Sequence, residues 1–256
     1  MLKVSGLLFV YFLSGFWLNY NVIKEKTIKM PSYLTGCVFI ILALPLVNFT
    51  SSWQVALSIL CLVCIYIEII GMKSVAASKR RIFKIGFFLG CLMLFDYTFF
   101  LGYPFVCGAL IYYSQFSWRH FIIQLIGLLY PLGGWVIIFG SFKLNELTPI
   151  NETQVYQGVY WMVILCFFLL LSLKELYHNY YKKSEQSKKA FNVLLVICIL
   201  VFLYSLLFNT LQFVYILILP FTIIIANYLI YMKHTKFRTF LLGLLIITFM
   251  LKFLNP

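Results

Sequence analysis

The chain has 256 residues, of which 63% are hydrophobic and 11% are charged, and its mean hydropathy is +0.99. Soluble domains carry about 25% charged residues, and a chain of this size cannot enclose so much apolar surface in water. Composition therefore excludes a water-soluble domain, a disordered chain, a disulfide scaffold and a nucleic-acid module. It predicts an all-α, polytopic transmembrane helical bundle with membrane lipids as partners and no nucleic acid.

Ten apolar runs follow one another along the chain, each near the roughly 20 residues that cross a bilayer. The runs cover residues 4–20, 32–49, 53–71, 82–99, 100–116, 119–141, 155–177, 190–208, 211–231 and 239–254. The first run has no small-x-small cleavage site, which favours a helix over a signal peptide. Gly102 and Pro104 interrupt the fifth run, so a short or broken helix is expected there. No hydrophilic stretch is long enough for a soluble domain, and we predict one transmembrane domain over residues 1–256.

The formal net charge of +13 is unevenly distributed between the loops. Seventeen of the 20 Lys and Arg residues lie in alternate loops, beginning with the loop after the first run. These basic loops are residues 24–29, 73–84, the position of Arg119, 174–189 and 233–238. The positive-inside rule places them in the cytoplasm and both termini outside.

Several residue types that catalysis requires are scarce. Asp96 is the single aspartate, and His120, His178 and His234 all lie in or beside the basic loops. The sequence has no H-E-x-x-H, G-x-S-x-G or P-loop motif. All seven cysteines lie in apolar runs, where they are expected to be small apolar fillers. We therefore expect no metal and no cofactor, and an enzyme is not favoured.

Asp96 is the first candidate for a ligand-binding residue, together with its neighbour Tyr97. It lies about 14 residues into the fourth run, or roughly 21 Å along a helix. A carboxylate at that depth is costly unless it is paired, neutral or hydrated. The functional interpretation is a proton or polar-ligand site, and the alternative is an interfacial aspartate that reaches the outer headgroups.

The centre of the sixth run reads Tyr130-Pro-Leu-Gly-Gly-Trp135. Pro131 removes a backbone donor, and Gly133 and Gly134 permit a bend or close packing. The functional interpretation makes Tyr130 and Trp135 part of one wall of a polar cavity opposite Asp96. The alternative is a kink that serves helix packing, and Pro220 in the ninth run has the same two interpretations.

Two other features concern packing and charge. Gly86 and Gly90 form G-x-x-x-G, which predicts close approach of another helix within the chain, with dimerisation as the alternative. Glu68 lies near the cytoplasmic end of the third run, ahead of Lys73 and Lys79, and is expected to form an interfacial ion pair.

One outer loop carries the acidic residues Glu146 and Glu152. A solvated surface is the favoured interpretation of this pair. Glu152 remains a ligand-binding candidate, because enzymes that act on polyprenyl-linked sugars place acidic residues in outer loops.

The middle of the chain resembles an uncharacterised family of Bacteroidota inner-membrane proteins, known as a domain of unknown function. The resemblance covers about residues 15–140. Its motifs are Lys79-Arg-Arg-Ile-Phe-Lys-Ile-Gly-Phe-Phe-Leu-Gly90, Leu94-Phe, Tyr113-Ser-Gln-Phe-Ser-Trp-Arg-His120 and Leu125-Ile-Gly-Leu-Leu-Tyr-Pro131. It implies a multi-pass protein of the bacterial inner (cytoplasmic) membrane. It implies no activity, and longer members carry a first hydrophobic segment that we expect this chain to lack.

Three functions fit these observations. The first is a non-enzymatic subunit of a larger envelope complex, with other integral membrane proteins as partners. The second is a small transporter or flippase for a lipid-like or polar substrate, with a mid-membrane cavity near Asp96. The third is an accessory protein or enzyme of lipid-linked saccharide synthesis, acting through Glu146 or Glu152.

Overall fold

The computed structural model describes most of the chain in ten segments. They are residues 2–28, 30–50, 53–72, 75–95, 99–100, 102–113, 117–139, 167–208, 216–232 and 235–254. Over these residues the chain is helical apart from short turns, and no strand is present. The all-α fold class is confirmed for this part of the chain.

Ten α-helices occur in the described segments. Their bounds are Leu2–Lys24 (α1), Leu34–Thr50 (α2), Trp53–Ile70 (α3), Val75–Phe95 (α4), Gly102–Tyr112 (α5), Trp118–Phe139 (α6), residues 167–179 (α7), Glu185–Phe208 (α8), Ile218–Tyr231 (α9) and Thr235–Leu254 (α10). Residue 167 is the first described residue of α7 and not its established start. A 3-10 turn, Tyr180–Lys182, lies between α7 and α8.

Local backbone chemistry explains several helix ends. After α1, Lys26 adopts a left-handed conformation with φ 55°, and the Thr27 N–H donates to the Val22 carbonyl at 3.0 Å. This pattern closes a helix by satisfying a carbonyl of its last turn. Pro104 lies in the first turn of α5, where its missing N–H costs little. Pro131 lies inside α6, which continues to Phe139.

Three helices are long and apolar enough to cross a membrane: Ser5–Lys24, Trp53–Ile70 and Trp118–Ile138, among the described residues. The predicted number of ten spans is not supported. The apolar helix Gly102–Tyr112 has 11 residues and Ile218–Tyr231 has 14. At about 1.5 Å per residue neither reaches across a hydrocarbon core of about 30 Å. The fifth apolar run, at residues 100–116, is longer than its helix, which covers Gly102–Tyr112.

The chain divides into two compact units. Unit 1 comprises residues 1–56 and 149–256, and unit 2 comprises residues 57–148. The prediction of a single domain over residues 1–256 stays a prediction, and each unit is described by itself.

In unit 1, helix α2 packs against α1, α9 and α10, and α8 packs against α9. Gly36 of α2 lies against Gly15 and Asn19 of α1, so small side chains let these two backbones approach closely. Large buried side chains of this unit include Tyr11, Leu18, Phe39, Phe168 and Phe191.

In unit 2, helix α4 packs along α6 and also contacts α5. Ile82, Ile85, Leu89 and Leu92 are buried along α4 at a spacing of three or four residues. This spacing gives the helix one continuous apolar face.

Candidate functional site

Three of the predicted ligand-binding residues, Asp96, Tyr97 and Glu152, lie outside the described residues, and so does Glu146. Tyr130 and Trp135 lie on α6. Tyr130 is 67% exposed, and its ring packs on Phe83 and Phe87 of α4 at centroid distances of 6.4 and 6.2 Å. The described residues therefore place Tyr130 at an aromatic helix contact.

The G-x-x-x-G glycines of α4 face α6 at very close range. A Cβ at Gly86 would lie 2.2 Å from the Gln124 carbonyl oxygen, and one at Gly90 would lie 2.4 Å from that of Leu128. From the other side, a Cβ at Gly127 would lie 2.4 Å from the Phe83 carbonyl oxygen. The contact is between backbones of the same unit, so only glycine fits at these three positions.

The other residues predicted to serve helix packing have different surroundings. Pro131 is buried, and its Cγ lies 2.6 Å from where a Gly90 Cβ would be. Pro220 is buried in α9. Within the described part of the chain, a Cβ at Gly133 or Gly134 would meet nothing within 4 Å. Pro131 thus belongs to the α4–α6 contact, whereas the two glycines after it do not.

Glu68 accepts a hydrogen bond from the Lys84 ammonium at 2.8 Å, and Arg81 lies 3.7 Å away. Its partners therefore come from α4, two and five residues beyond Lys79, which the sequence indicated. The guanidinium of Arg81 occupies the space in which a Cβ of Gly71 would lie. Glycine at position 71 allows Arg81 to reach Glu68, so this cluster has a structural explanation.

A cleft of about 650 Å³ lies in unit 1, where the end of α7, the start of α8, the end of α9 and the start of α10 meet. We call it the basic cleft. It is lined by Glu175, His178, Asn179, Lys182, Lys183, Ser187, Asn227, Tyr228, Tyr231, Met232 and Phe237. All of these residues except Asn227 and Tyr228 lie in or beside the basic loops at residues 174–189 and 233–238.

Lys183 is held firmly at one side of the cleft. Its ammonium donates to Asn227 Oδ1 at 2.7 Å and lies 4.5 Å from the centroid of the Phe191 ring and 5.1 Å from that of Tyr231. Asn227 is only 2% exposed in a helix that is otherwise almost wholly apolar. A buried amide of this kind needs a polar partner, and Lys183 supplies it.

Lys182 and His178 are the exposed basic side chains of the cleft, and neither has an ion-pair partner among the described residues. The carboxylate of Glu175 accepts a hydrogen bond from the Asn179 amide. The cleft thus contains two lysines and a histidine against a single carboxylate. Its side chains favour an anion over a cation.

Helix dipoles do not decide the sign of the charge that the cleft prefers. Two helices end there and two begin there, and the partial charges at opposite helix ends are about equal in size. Side-chain charge is therefore the determining term.

Near the start of α8, polar and charged side chains form hydrogen bonds within the protein. Ser187 Oγ donates to the Thr27 carbonyl at 2.7 Å, which attaches α8 to the turn after α1. Lys188 contacts Glu185 at 2.8 Å, and this hydrogen bond lowers the pKa of the Glu185 carboxyl and raises the pKa of the Lys188 ammonium. Lys188 therefore has an acidic partner, unlike Lys182.

In the sequence, the lysines of the cleft indicated only which side of the membrane their loop occupies. The signals that could have identified the cleft were Asn227 in an apolar helix and a histidine in each of the two basic loops. Within the described residues, no three His, Cys, Asp or Glu side chains come close enough together to hold a metal ion.

In the part of the chain that the structure describes, fold and site define a helical protein with three helices that could span a membrane and a basic cleft at helix ends. The chain belongs to a family of unknown function, DUF6427, whose sequence profile matches residues 1–255. The expected membership of an uncharacterised family is confirmed, over a longer stretch than the motifs indicated. Neither the curated proteins nor the solved structures contain a match.

Proposed function

We propose that the chain is a multi-pass protein of a bacterial inner membrane that works as a small transporter or flippase for a lipid-like or polar substrate. The basic loops, and with them the basic cleft, lie on the cytoplasmic side. The observation that carries this proposal is the cleft itself, which opens among helix ends. It combines the exposed basic side chains of Lys182 and His178 with an aromatic wall formed by Tyr228, Tyr231 and Phe237.

Exposed apolar side chains support the membrane setting. On α1 they include Phe9, Phe12, Phe16 and Trp17, and on α6 they include Trp118, Ile122, Ile126, Leu129 and Ile137. Rows of this kind would expose a large apolar patch to water, whereas lipid chains would cover them without cost. Only 22% of the Trp118–Ile138 span is buried inside the protein.

Reconstitution into liposomes tests the transport proposal. Vesicles with a fluorescent phospholipid in both leaflets receive dithionite, which bleaches the outer leaflet alone. We expect the protein to expose the inner-leaflet lipid to bleaching faster than in protein-free vesicles. Lys182→Glu, which reverses a charge in the cleft, should slow this exchange, and Lys188→Glu outside the cleft should not. No exchange above that of protein-free vesicles, for a lipid or for a water-soluble anion, would count against transport.

A second candidate is the non-enzymatic subunit of a larger envelope complex. The observation that favours it is the weakly buried face of α6, which another membrane protein could cover as well as lipid could. A photo-crosslinking amino acid at Ile126 of α6, compared with one at Phe16 of α1, tests it. A discrete protein adduct at Ile126 alone would support a partner, and lipid adducts at both positions would contradict one.

A further inference from the structure

We infer that the basic cleft recognises the phosphate group of a lipid-like anion, with Lys182 and His178 contacting the phosphate oxygens. The inference rests on the proposed function for its membrane setting and names the class of its ligand. Lys183 acts as a positioning residue that fixes the cleft and adds positive charge to it.

The donors of the cleft suit phosphate better than a planar carboxylate. His178 lies on the last turn of α7, Lys182 ends the 3-10 turn that follows, and Lys183 comes directly after it. Tyr231 comes from α9. Phosphate oxygens point in tetrahedral directions and can accept from donors on separate elements. Lysine binds phosphate as a point charge and needs no planar, bidentate geometry.

Lys183 is already committed to Asn227 and two aromatic rings, which leaves its position fixed before a ligand arrives. Such preorganisation lowers the entropic cost of binding. Lys182 and His178 are exposed and adaptable, so they are the side chains that can close on the ligand. The cleft therefore combines one fixed ammonium group, that of Lys183, with two exposed hydrogen-bond donors, Lys182 and His178.

The aromatic wall indicates a ligand with an apolar part. Tyr228 and Tyr231 lie in the last turn of α9, Met232 follows them, and Phe237 lies in the first turn of α10. Phe237 is 46% exposed and stacks on Phe240, which is 62% exposed. Exposed aromatic rings at the ends of apolar helices are typical of the membrane interface. A headgroup in the cleft would therefore have room for its acyl chains beside α9 and α10.

The carboxylate of Glu175 adds a condition on the ligand. It lies in the same cleft and accepts a hydrogen bond from the Asn179 amide. A carboxylate beside the donors disfavours an anion that accepts from few of them, and a phosphate group offers these donors more acceptor oxygens than a carboxylate does. We therefore expect discrimination between phosphate lipids and other anionic amphiphiles, which a general attraction of lysines to the membrane surface would not produce.

Native mass spectrometry of the purified protein in detergent tests the inference, with phosphatidic acid as the probe and oleate as an anionic amphiphile without phosphate. We expect one tightly bound phosphatidic acid, and about tenfold weaker binding in Lys182→Ala and in His178→Ala. Lys188→Ala, which removes a paired lysine from the same loop, is the matched control and should bind as the wild type does. Lys182 and His178 are exposed, so neither substitution threatens folding.

The outcomes distinguish a phosphate lipid from a soluble phosphate compound. They also distinguish a failure of phosphate recognition from a failure of the transport proposal. Competition by inorganic phosphate or glycerol phosphate at equal concentration would assign the cleft to a soluble phosphate compound, and its absence would assign it to a lipid. Equal weakening by Lys182→Ala and Lys188→Ala, equal binding of oleate, or wild-type affinity in Lys182→Ala would overturn the inference. Binding is measured without vesicles, so a failure to bind is independent of the transport result. Transport without specific phosphate binding would overturn this inference and leave the proposed function supported.

Discussion

Glu68 is a carboxylate whose side chain is 13% exposed and which contacts two cations of α4. Taking a carboxylate out of water is costly unless charged partners replace the water. Lys84 and Arg81 do so, and Lys84 remains 41% exposed, which reduces the strength of its contribution through solvent screening.

We predict that Glu68→Gln lowers the stability of the protein by about 1 kcal/mol, because a hydrogen bond to a charged group is weakened and two cations lose their counter-ion. Thermal unfolding in detergent measures the change. Combining Glu68→Gln with Lys84→Met should cost less than the sum of the single substitutions. Additive effects would show that the two side chains do not interact.

Glu185 and Lys188 form an exposed pair in the first turn of α8, where a carboxylate also meets the positive end of the helix. The pKa of Glu185 is lowered, so the folded state releases this proton more readily than the unfolded state. Its small contribution to stability is present above the ordinary pKa of glutamate and is lost as the pH falls through the lowered value. We predict that Lys188→Met raises the pKa of Glu185 towards its ordinary value, as measured by carboxyl-carbon NMR titration. An unchanged pKa would mean that the helix terminus, and not Lys188, causes the shift.

At the scale of helices, the close packing of α4 against α6 depends on the small size of glycine. Three glycines allow the two backbones to contact each other, and the atoms facing them are carbonyl oxygens and amide nitrogens, which cannot rotate away as a side chain can. An added methyl group there must separate the helices and weaken the apolar contacts along their whole length.

We predict that Gly86→Ala, Gly90→Ala and Gly127→Ala each lower stability by about 1–3 kcal/mol. Gly108→Ala and Gly243→Ala are the matched controls, since in the described part of the chain a Cβ at either position meets nothing within 4 Å. They should be neutral or stabilising by up to about 1 kcal/mol, because alanine favours a helix more than glycine does. Thermal unfolding in detergent compares all five, and equal effects in both sets would exclude backbone contact as the cause.

Run length along the sequence predicted the presence of the helices better than their ends. The run at residues 53–71 corresponds to α3 at Trp53–Ile70, because an apolar segment in a chain this hydrophobic has no competing structure. The run at 100–116 became an 11-residue helix, since Gly102 and Pro104 mark where helix α5 can begin but the sequence does not show where it ends. The basic cleft brings residue 175 near residues 227 and 237, and no local pattern reveals such a contact.

At the scale of the whole molecule, charge is the property that connects topology with the cleft. The lysines that line the cleft belong to the same loops that indicate a cytoplasmic position. If lysine-rich loops are retained in the cytoplasm during insertion, the cleft opens towards the leaflet with anionic headgroups and towards cytoplasmic metabolites. In that topology, only ligands from the cytoplasmic side and its leaflet would reach the cleft.

We predict that a cysteine introduced at Ser184, in the loop between α7 and α8, is protected from a membrane-impermeant maleimide in spheroplasts and is labelled in inverted membrane vesicles. A cysteine at Lys143, in the predicted outer loop, should show the reverse pattern. Both are made in a chain whose seven cysteines are replaced, which the native positions inside apolar runs make tolerable. Labelling of Ser184→Cys in spheroplasts would place the cleft outside the cytoplasm. The loops would then contradict the positive-inside rule, and a ligand from the cytoplasmic leaflet could not be the one that Lys182 and His178 bind.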